Sequence, residues 1–292
     1  MAKAKKAKSA SNAVPTRVAD QLRLPPGPVD LSAMDARATP GFDGDKIAGK
    51  AALASLEAPL SDLQERLFAH GRTGGRRRLL LVVQGMDTSG KGGTVRHAVG
   101  LVDPQGVAIT SFKAPTAEER RRGFLWRIRQ ALPQPGMIGV FDRSHYEDVL
   151  IARVRSLSRS DVIERRYDAI NEFEATLVAD DCVVVKVMLH LSYEEQRERL
   201  LARLDDSTKH WKYNPGDVDE RKLWPAYQEA YAIALERCNT EAAPWFVVPA
   251  DRKWYRNWAV SRLLLEHLEA MSLEWPVADY DVAAERDRIL AT

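Results

Sequence analysis

The 292-residue chain contains only two cysteines, Cys182 and Cys238, with no CxxC pair and no metal-ligand spacing around them. A disulfide framework and a structural zinc site are both excluded, and a reducing cytoplasm is the expected compartment. Cys182 opens an apolar run and is expected as a small buried hydrophobe. No apolar stretch approaches the roughly 20 residues that a membrane span requires, so no membrane partner is expected. Net charge is also small: 43 Lys and Arg against 41 Asp and Glu leave +2. The molecule is not a polycation, nucleic acid is not an expected partner, and affinity for anions must come from local clusters. There is no internal repeat. Lys3, Lys5, Lys6 and Lys8 have no apolar stretch behind them, which argues against a secretory signal. With LPPGP at 24–28, residues 1–40 read as a flexible basic arm with little to bury.

What is present is a large apolar fraction, 45%, enough for one sizeable α/β domain with an added lid. Strand-length apolar runs occur at LLLVVQG (79–85), VAITSF (107–112), MIGVF (137–141), CVVVKVMLHL (182–191) and WFVVP (245–249). Helical spacing lies between them. One helix is expected over 46–70, on Leu53, Leu56, Leu60, Leu63 and Leu67, and others over 116–132, 160–180, 193–204, 218–238 and 253–271. A further helix is expected to start at SHYEDVLIARV. Strands alternating with helices imply a parallel sheet covered on both faces. The domain is expected over 41–272, with a tail over 273–292. The polar, aromatic stretch at 205–224 fits no core element and reads as a lid.

The most specific local signal is G-M-D-T-S-G-K-G at 85–92, between an apolar strand and a helix. Gly85, Gly90 and Lys91 fit a phosphate loop, whose backbone N–H groups curl around a phosphate while the lysine reaches further oxygens. Thr88, Ser89, Gly92, Gly93 and Thr94 complete the loop and the first helical turn, with Thr94 read mainly as a helix residue. The usual Ser or Thr after the lysine, a Mg²⁺ ligand, is replaced here by Gly92. Asp87, inside the loop, is the expected substitute, because a carboxylate beside phosphate is otherwise repulsive. Asp142 directly follows the third strand, where a second metal-holding carboxylate belongs, and Arg143 beside it is placed to neutralise a transferring phosphoryl group. His145 and Glu147 read mainly as capping or surface residues.

The runs GMDTSGKGGT, FKAPTAEE and FDRSHYEDVL, followed by KHWKYNPGDVDER and APWFVVPADRKWYRNW, resemble the polyphosphate kinase 2 family over roughly residues 42–272. The wording of KHWKYNPGD and WYRNW is most similar to the subgroup acting on nucleoside mono- and diphosphates alike. The resemblance implies a thymidylate-kinase-like three-layer α/β/α P-loop fold with a helical lid. It implies Mg²⁺-dependent, reversible phosphoryl transfer between inorganic polyphosphate and ADP, AMP or ATP, with Mn²⁺ able to substitute and guanine nucleotides as further acceptors. The catalytic set would be Asp87, Lys91, Asp142 and Arg143, with Asp87 and Asp142 holding the metal. Lys113, Arg203, Lys209 and Lys212 would be further phosphate contacts, and a homodimer or homotetramer is the expected assembly. Polyphosphate offers little but charge to recognise. Arg120, Arg121, Arg122, Arg127 and Arg129 offer a cationic strip, although their spacings cannot place all five on one side. The competing readings are an ATP-dependent nucleoside monophosphate kinase and a nucleotide- or polyanion-binding module without turnover.

Overall fold

The computed structural model describes residues 17–292; the expected basic segment at 3–8 lies outside them. Five parallel strands form one sheet: β1 (Arg78–Gln84), β2 (Val107–Ser111), β3 (Ile138–Asp142), β4 (Cys182–His190) and β5 (Trp245–Pro249), in the order β2-β3-β1-β4-β5. Each strand coincides with an apolar run read from the sequence. β1 lies in the centre and is buried along its whole length, whereas β2 lies at an edge and alternates with exposed positions.

The pleat sends alternate residues to opposite faces. Leu79, Leu81 and Val83 of β1 enter one core, with Val185, Val187 and Leu189 of β4. Leu80 and Val82 enter the other, with Val184 and Met188. The helices follow in chain order: α1 (Val18–Leu22), α2 (Lys46–Ala54), α3 (Glu57–Arg72), α4 (Lys91–Ala98), α5 (Ala117–Arg121), α6 (Trp126–Gln130), α7 (Ile151–Val154), α8 (Ser160–Ala179), α9 (Tyr193–Leu204), α10 (Gly216–Lys222), α11 (Trp224–Arg237), α12 (Lys253–Ala270) and α13 (Val282–Leu290). Helices α1, α3 and α12 cover the first face, and α8 and α11 cover the second. The architecture is therefore three-layer α/β/α.

Several expected elements differ. The single helix at 46–70 is two, broken at Ser55 and Leu56. Pro59 explains the break, since in a continuous helix its ring would meet the Ser55 carbonyl. The helix at 116–132 is also two, because Arg122 is extended and Gly123 follows it. The helix at 218–238 divides at Leu223, with Pro225 in the first turn of α11. SHYEDVLIARV forms a 3-10 turn over His145–Asp148 and then the short α7.

Residues 17–40 depart furthest from an arm with little to bury. Val18, Leu22, Leu24 and Leu31 are buried. The Val18 and Ala19 N–H groups donate to the Glu266 carboxylate at 3.0 and 2.9 Å. Leu24 N–H donates to the Trp245 carbonyl at 2.8 Å, and Arg23 bridges Phe246 in antiparallel sense. This segment covers the outer edge of β5, whose backbone groups otherwise lack partners.

Candidate active site

At the carboxyl end of β1 the chain must turn sharply from strand to helix. A Cβ at Gly85 (φ 151°) would lie 2.9 Å from the Leu189 carbonyl oxygen, so only glycine fits there. Thr88 is left-handed at φ 65°, Gly90 at φ 101°, and α4 then begins with Thr94 N–H donating to the Gly90 carbonyl at 2.8 Å. The loop carbonyls are tied from behind. Gln196 Nε2 donates to Asp87 O (3.0 Å), Arg199 Nη1 to Thr88 O (2.9 Å) and Ser89 O (3.1 Å), and Arg256 Nη1 to Ser89 O (3.1 Å). In a trans peptide the N–H points opposite to its carbonyl, so fixing the carbonyls backwards presents the amides forwards. Thr88 Oγ1, Ser89 Oγ and Thr94 Oγ1 are buried without hydrogen-bond partners among the described residues.

Asp142 ends β3 in register with Val83 of β1, which places it beside the loop. Arg143 follows in the left-handed region (φ 65°), its N–H held by the Val83 carbonyl at 3.1 Å. Non-glycine residues persist there only when their surroundings enforce it. The turn brings Arg143 Nη2 to 3.0 Å from Asp87 Oδ1. Lys91 Nζ donates to Gly85 O at 2.8 Å and Met86 O at 3.3 Å, folded back over its own loop. Burial lowers the Lys91 pKa, with Asp87 opposing. Burial also acts against the Arg143 charge, but Glu147 and Asp87 outweigh it and raise its pKa. Glu147, half-buried in area yet densely surrounded, has its carboxyl raised by burial against the pull of Arg143 and Lys91. Gln84, oriented so that both ends of its amide are satisfied, donates to Glu147 Oε1 at 3.1 Å.

The turn after Arg143 rests on a buried polar network, which corrects the surface reading of His145. His145 Nε2 pairs with Glu174 Oε1 at 3.1 Å, and Tyr146 Oη donates to the same oxygen at 2.8 Å. Lys186 Nζ, from β4, donates to Glu174 Oε2 and the Cys238 carbonyl, both at 2.6 Å, and to Tyr146 Oη at 2.9 Å. All four side chains are buried. Apart from His145 Nδ1, which has no partner among the described residues, the network is satisfied, and it fixes the geometry of the segment that bears Asp142, Arg143 and Glu147.

Beside Arg143 opens a cleft of about 490 Å³, lined by Phe112, Lys113, Phe124 and Glu147 and by Arg120, Arg122 and Arg127. The five expected strip arginines divide. Arg122 lies over the Trp126 ring at 5.5 Å, Arg127 donates to the Lys113 carbonyl at 2.7 Å, and Arg129 turns away onto Phe173 at 4.8 Å. The lid cations bond within the lid. Arg203 Nη1 reaches Lys212 O (3.1 Å) and Asp217 Oδ2 (3.2 Å), Lys209 pairs with Asp206 at 2.6 Å, and Lys212 lies 4.9 Å over the Trp211 ring. Trp211, in the lid, is 78% exposed. The lid reaches the site through α10, where burial and the nearby Asp87 raise the carboxyl of Asp217.

The family description Polyphosphate kinase 2 matches residues 43–276 of the chain. The chain belongs to the polyphosphate kinase 2 family. An AMP/ADP-polyphosphate phosphotransferase of Meiothermus ruber is 44% identical over 252 residues, covering 86% of this chain and 93% of that protein. An ADP-polyphosphate phosphotransferase of Rhodopseudomonas palustris is 37% identical over 260 residues, covering 85% and 88%. The crystal structure of polyphosphate kinase 2 from Arthrobacter aurescens TC1 superposes with a TM-score of 0.93 at 52% identity, over 97% of this chain and all of that one. Within this polyphosphate kinase 2 chain, sequence reasoning missed Gln196, Arg199, Asp217 and Arg256 and undervalued Glu147. For Arg256 a faint signal exists: Arg256-Asn257 is a polar pair inside a largely apolar helix.

Proposed function

We propose that this chain transfers phosphoryl groups reversibly between inorganic polyphosphate and adenine nucleotides, with both AMP and ADP as acceptors. The observation that carries the reading is the Asp87–Arg143 pair at 3.0 Å, which joins the phosphate loop of β1 to the acidic end of β3 with Lys91 close by. The terminal phosphoryl of polyphosphate lies in the loop, held by its amides and Lys91. The acceptor nucleotide lies in the basic cleft, its terminal phosphate oxygen directed at the same phosphorus. That oxygen forms the new P–O bond as the bridging oxygen of polyphosphate leaves, and Arg143 offsets the charge on the transferring group. The attacking oxygen is already ionised and the bridging oxygen leaves as the terminal anion of the shortened polyphosphate, so little acid–base help is needed.

A divalent cation, Mg²⁺ with Mn²⁺ as substitute, would be held by Asp87 and Asp142. The donor set fits: Asp142 has no side-chain hydrogen bond or ion pair among the described residues, and Asp87 uses only Oδ1, on Arg143. No group of three or more His, Cys, Asp or Glu side chains converges among the described residues. This agrees with Mg²⁺, which takes one or two carboxylates and completes its shell with phosphates and water. Bound there, the cation would offset charge on the phosphate oxygens.

No helix among the described residues is long and apolar enough to cross a membrane. A cytoplasmic location and a homodimeric or homotetrameric state complete the proposal. The test is a product assay with polyphosphate or ATP as sole donor and AMP, ADP, GMP and GDP as acceptors. Turnover with polyphosphate on AMP and ADP supports the reading. Turnover with ATP alone on monophosphates would replace it with a nucleoside monophosphate kinase.

A further inference from the structure

Arg256 lies behind the phosphate loop on α12, and its side chain is almost wholly buried. Its hydrogen bonds go to the Ser89 carbonyl (3.1 Å) and to Asn257 Oδ1 (3.2 and 2.8 Å), all neutral acceptors. No ion pair to it occurs among the described residues, and the charged groups that bear on it, Arg199 and Lys253, are of the same sign. Burial and Arg199 pull its pKa down to about 9, which still leaves a full positive charge at neutral pH.

The loop is shaped around this guanidinium. A Cβ at Gly90 would lie 1.7 Å from Nη1, and one at Gly93 would lie 2.8 Å from Nη2, while Gly92 faces open space. Two glycines of the G-K-G-G run therefore make room for Arg256. A buried cation without an anion, set at the amino end of α4 where the backbone is already partly positive, is unfavourable in the empty protein.

We propose that Arg256 is a built-in counter-charge for polyphosphate: the anion seated on the front of the loop is the partner that the guanidinium behind it lacks. Arg256 acts through the loop and does not touch the anion. The inference rests on the loop being the polyphosphate site. The empty loop is electrostatically frustrated, and binding relieves it.

Calorimetric binding of tripolyphosphate without nucleotide, together with thermal unfolding, tests this on the parent and on Arg256→Gln, Arg256→Lys and Lys91→Ala. Arg256→Gln keeps a donor for Ser89 but removes the charge. It should weaken tripolyphosphate binding at least about tenfold, raise the unfolding midpoint of the empty protein and shrink the shift produced by ligand. Arg256→Lys should stay within about threefold of the parent in affinity. Equal losses in the Gln and Lys variants would make Arg256 a prop for the loop and overturn the proposal. So would undiminished affinity in the Gln variant, or an empty Gln variant less stable than the parent. If Lys91→Ala binds tripolyphosphate as tightly as the parent, the loop assignment itself fails, and this inference fails with it.

Discussion

Two clefts open near the carboxyl edge of the sheet, and the larger is not the one proposed for the chemistry. The larger, about 860 Å³, lies between residues 29–37 and the start of α9, and its walls carry Asp30, Asp35, Glu194, Glu195, Glu198 and Glu229 against one arginine, Arg37. The smaller, about 490 Å³, is lined by Lys113, Arg120, Arg122, Arg127, Arg143 and Arg166 against Glu119, Glu147 and Asp148, a surplus of cations. For a polyanionic substrate the sign of the wall outweighs its capacity, because an acidic crevice repels what a basic one gathers. Helix α9 stands between the acidic cleft and the phosphate loop: it turns Gln196 and Arg199 to the loop and Glu194 and Glu198 to the cleft.

The contrast is sharpest at the loop. Lys91→Ala should reduce turnover by ~10²-fold or more, the scale of one lost oxyanion-type contact, with little change in unfolding midpoint. Near-parental turnover would remove the loop from the mechanism. Asp87→Asn and Asp142→Asn should each raise the Mg²⁺ concentration for half-activity, by about tenfold, and lower the maximum rate. Magnesium titrations that superpose on the parent in both variants would release these carboxylates from a metal role. Neutralising one wall of each cleft compares them directly. Arg122→Gln should raise the nucleotide KM roughly tenfold, as for one charge-assisted contact, whereas the double variant Glu194→Gln, Glu198→Gln should leave it within about twofold. An equal effect on both sides would break the comparison. The smallest effect is expected from the lid. Lys209→Ala with Lys212→Ala should raise the polyphosphate KM by about threefold, since both side chains are engaged within the lid and must be freed before they contribute. If KM and turnover match the parent, residues 205–224 are a surface excursion.

The sequence carried the sheet clearly because its central strands are buried on both faces and so read as unbroken apolar runs. The phosphate loop was equally legible, being a local motif that needs no distant partner to recognise. Legibility ended where contacts became long-range. Arg199 meets the Thr88 carbonyl across 111 residues and Arg256 meets Ser89 across 167, and no periodicity announces such a meeting. Glu147 was visible, but its enclosure depends on Gln84 and Lys91 arriving from β1 and α4. Residues 17–40 misled for another reason: prolines and glycine dilute the apolar residues, so Val18, Leu22, Leu24 and Leu31 show no stripe even though each is buried. Trp211 is the converse, a large aromatic that stays mostly exposed beside Lys212.

The segment that covers β5 also constrains the order of events during synthesis. Val18 must wait for Glu266, 248 residues later, and Leu24 must wait for Trp245. A ribosome adds about 5–20 residues per second, so the earliest described part of the chain stays without its native partners for on the order of ten seconds or more. Once residue 190 is made, β1, β3 and β4 can assemble while the place of β5 stands open. The nascent protein therefore carries an unprotected strand edge at β4 until residues 245–249 arrive, and a segment made long before β5 then covers the new edge.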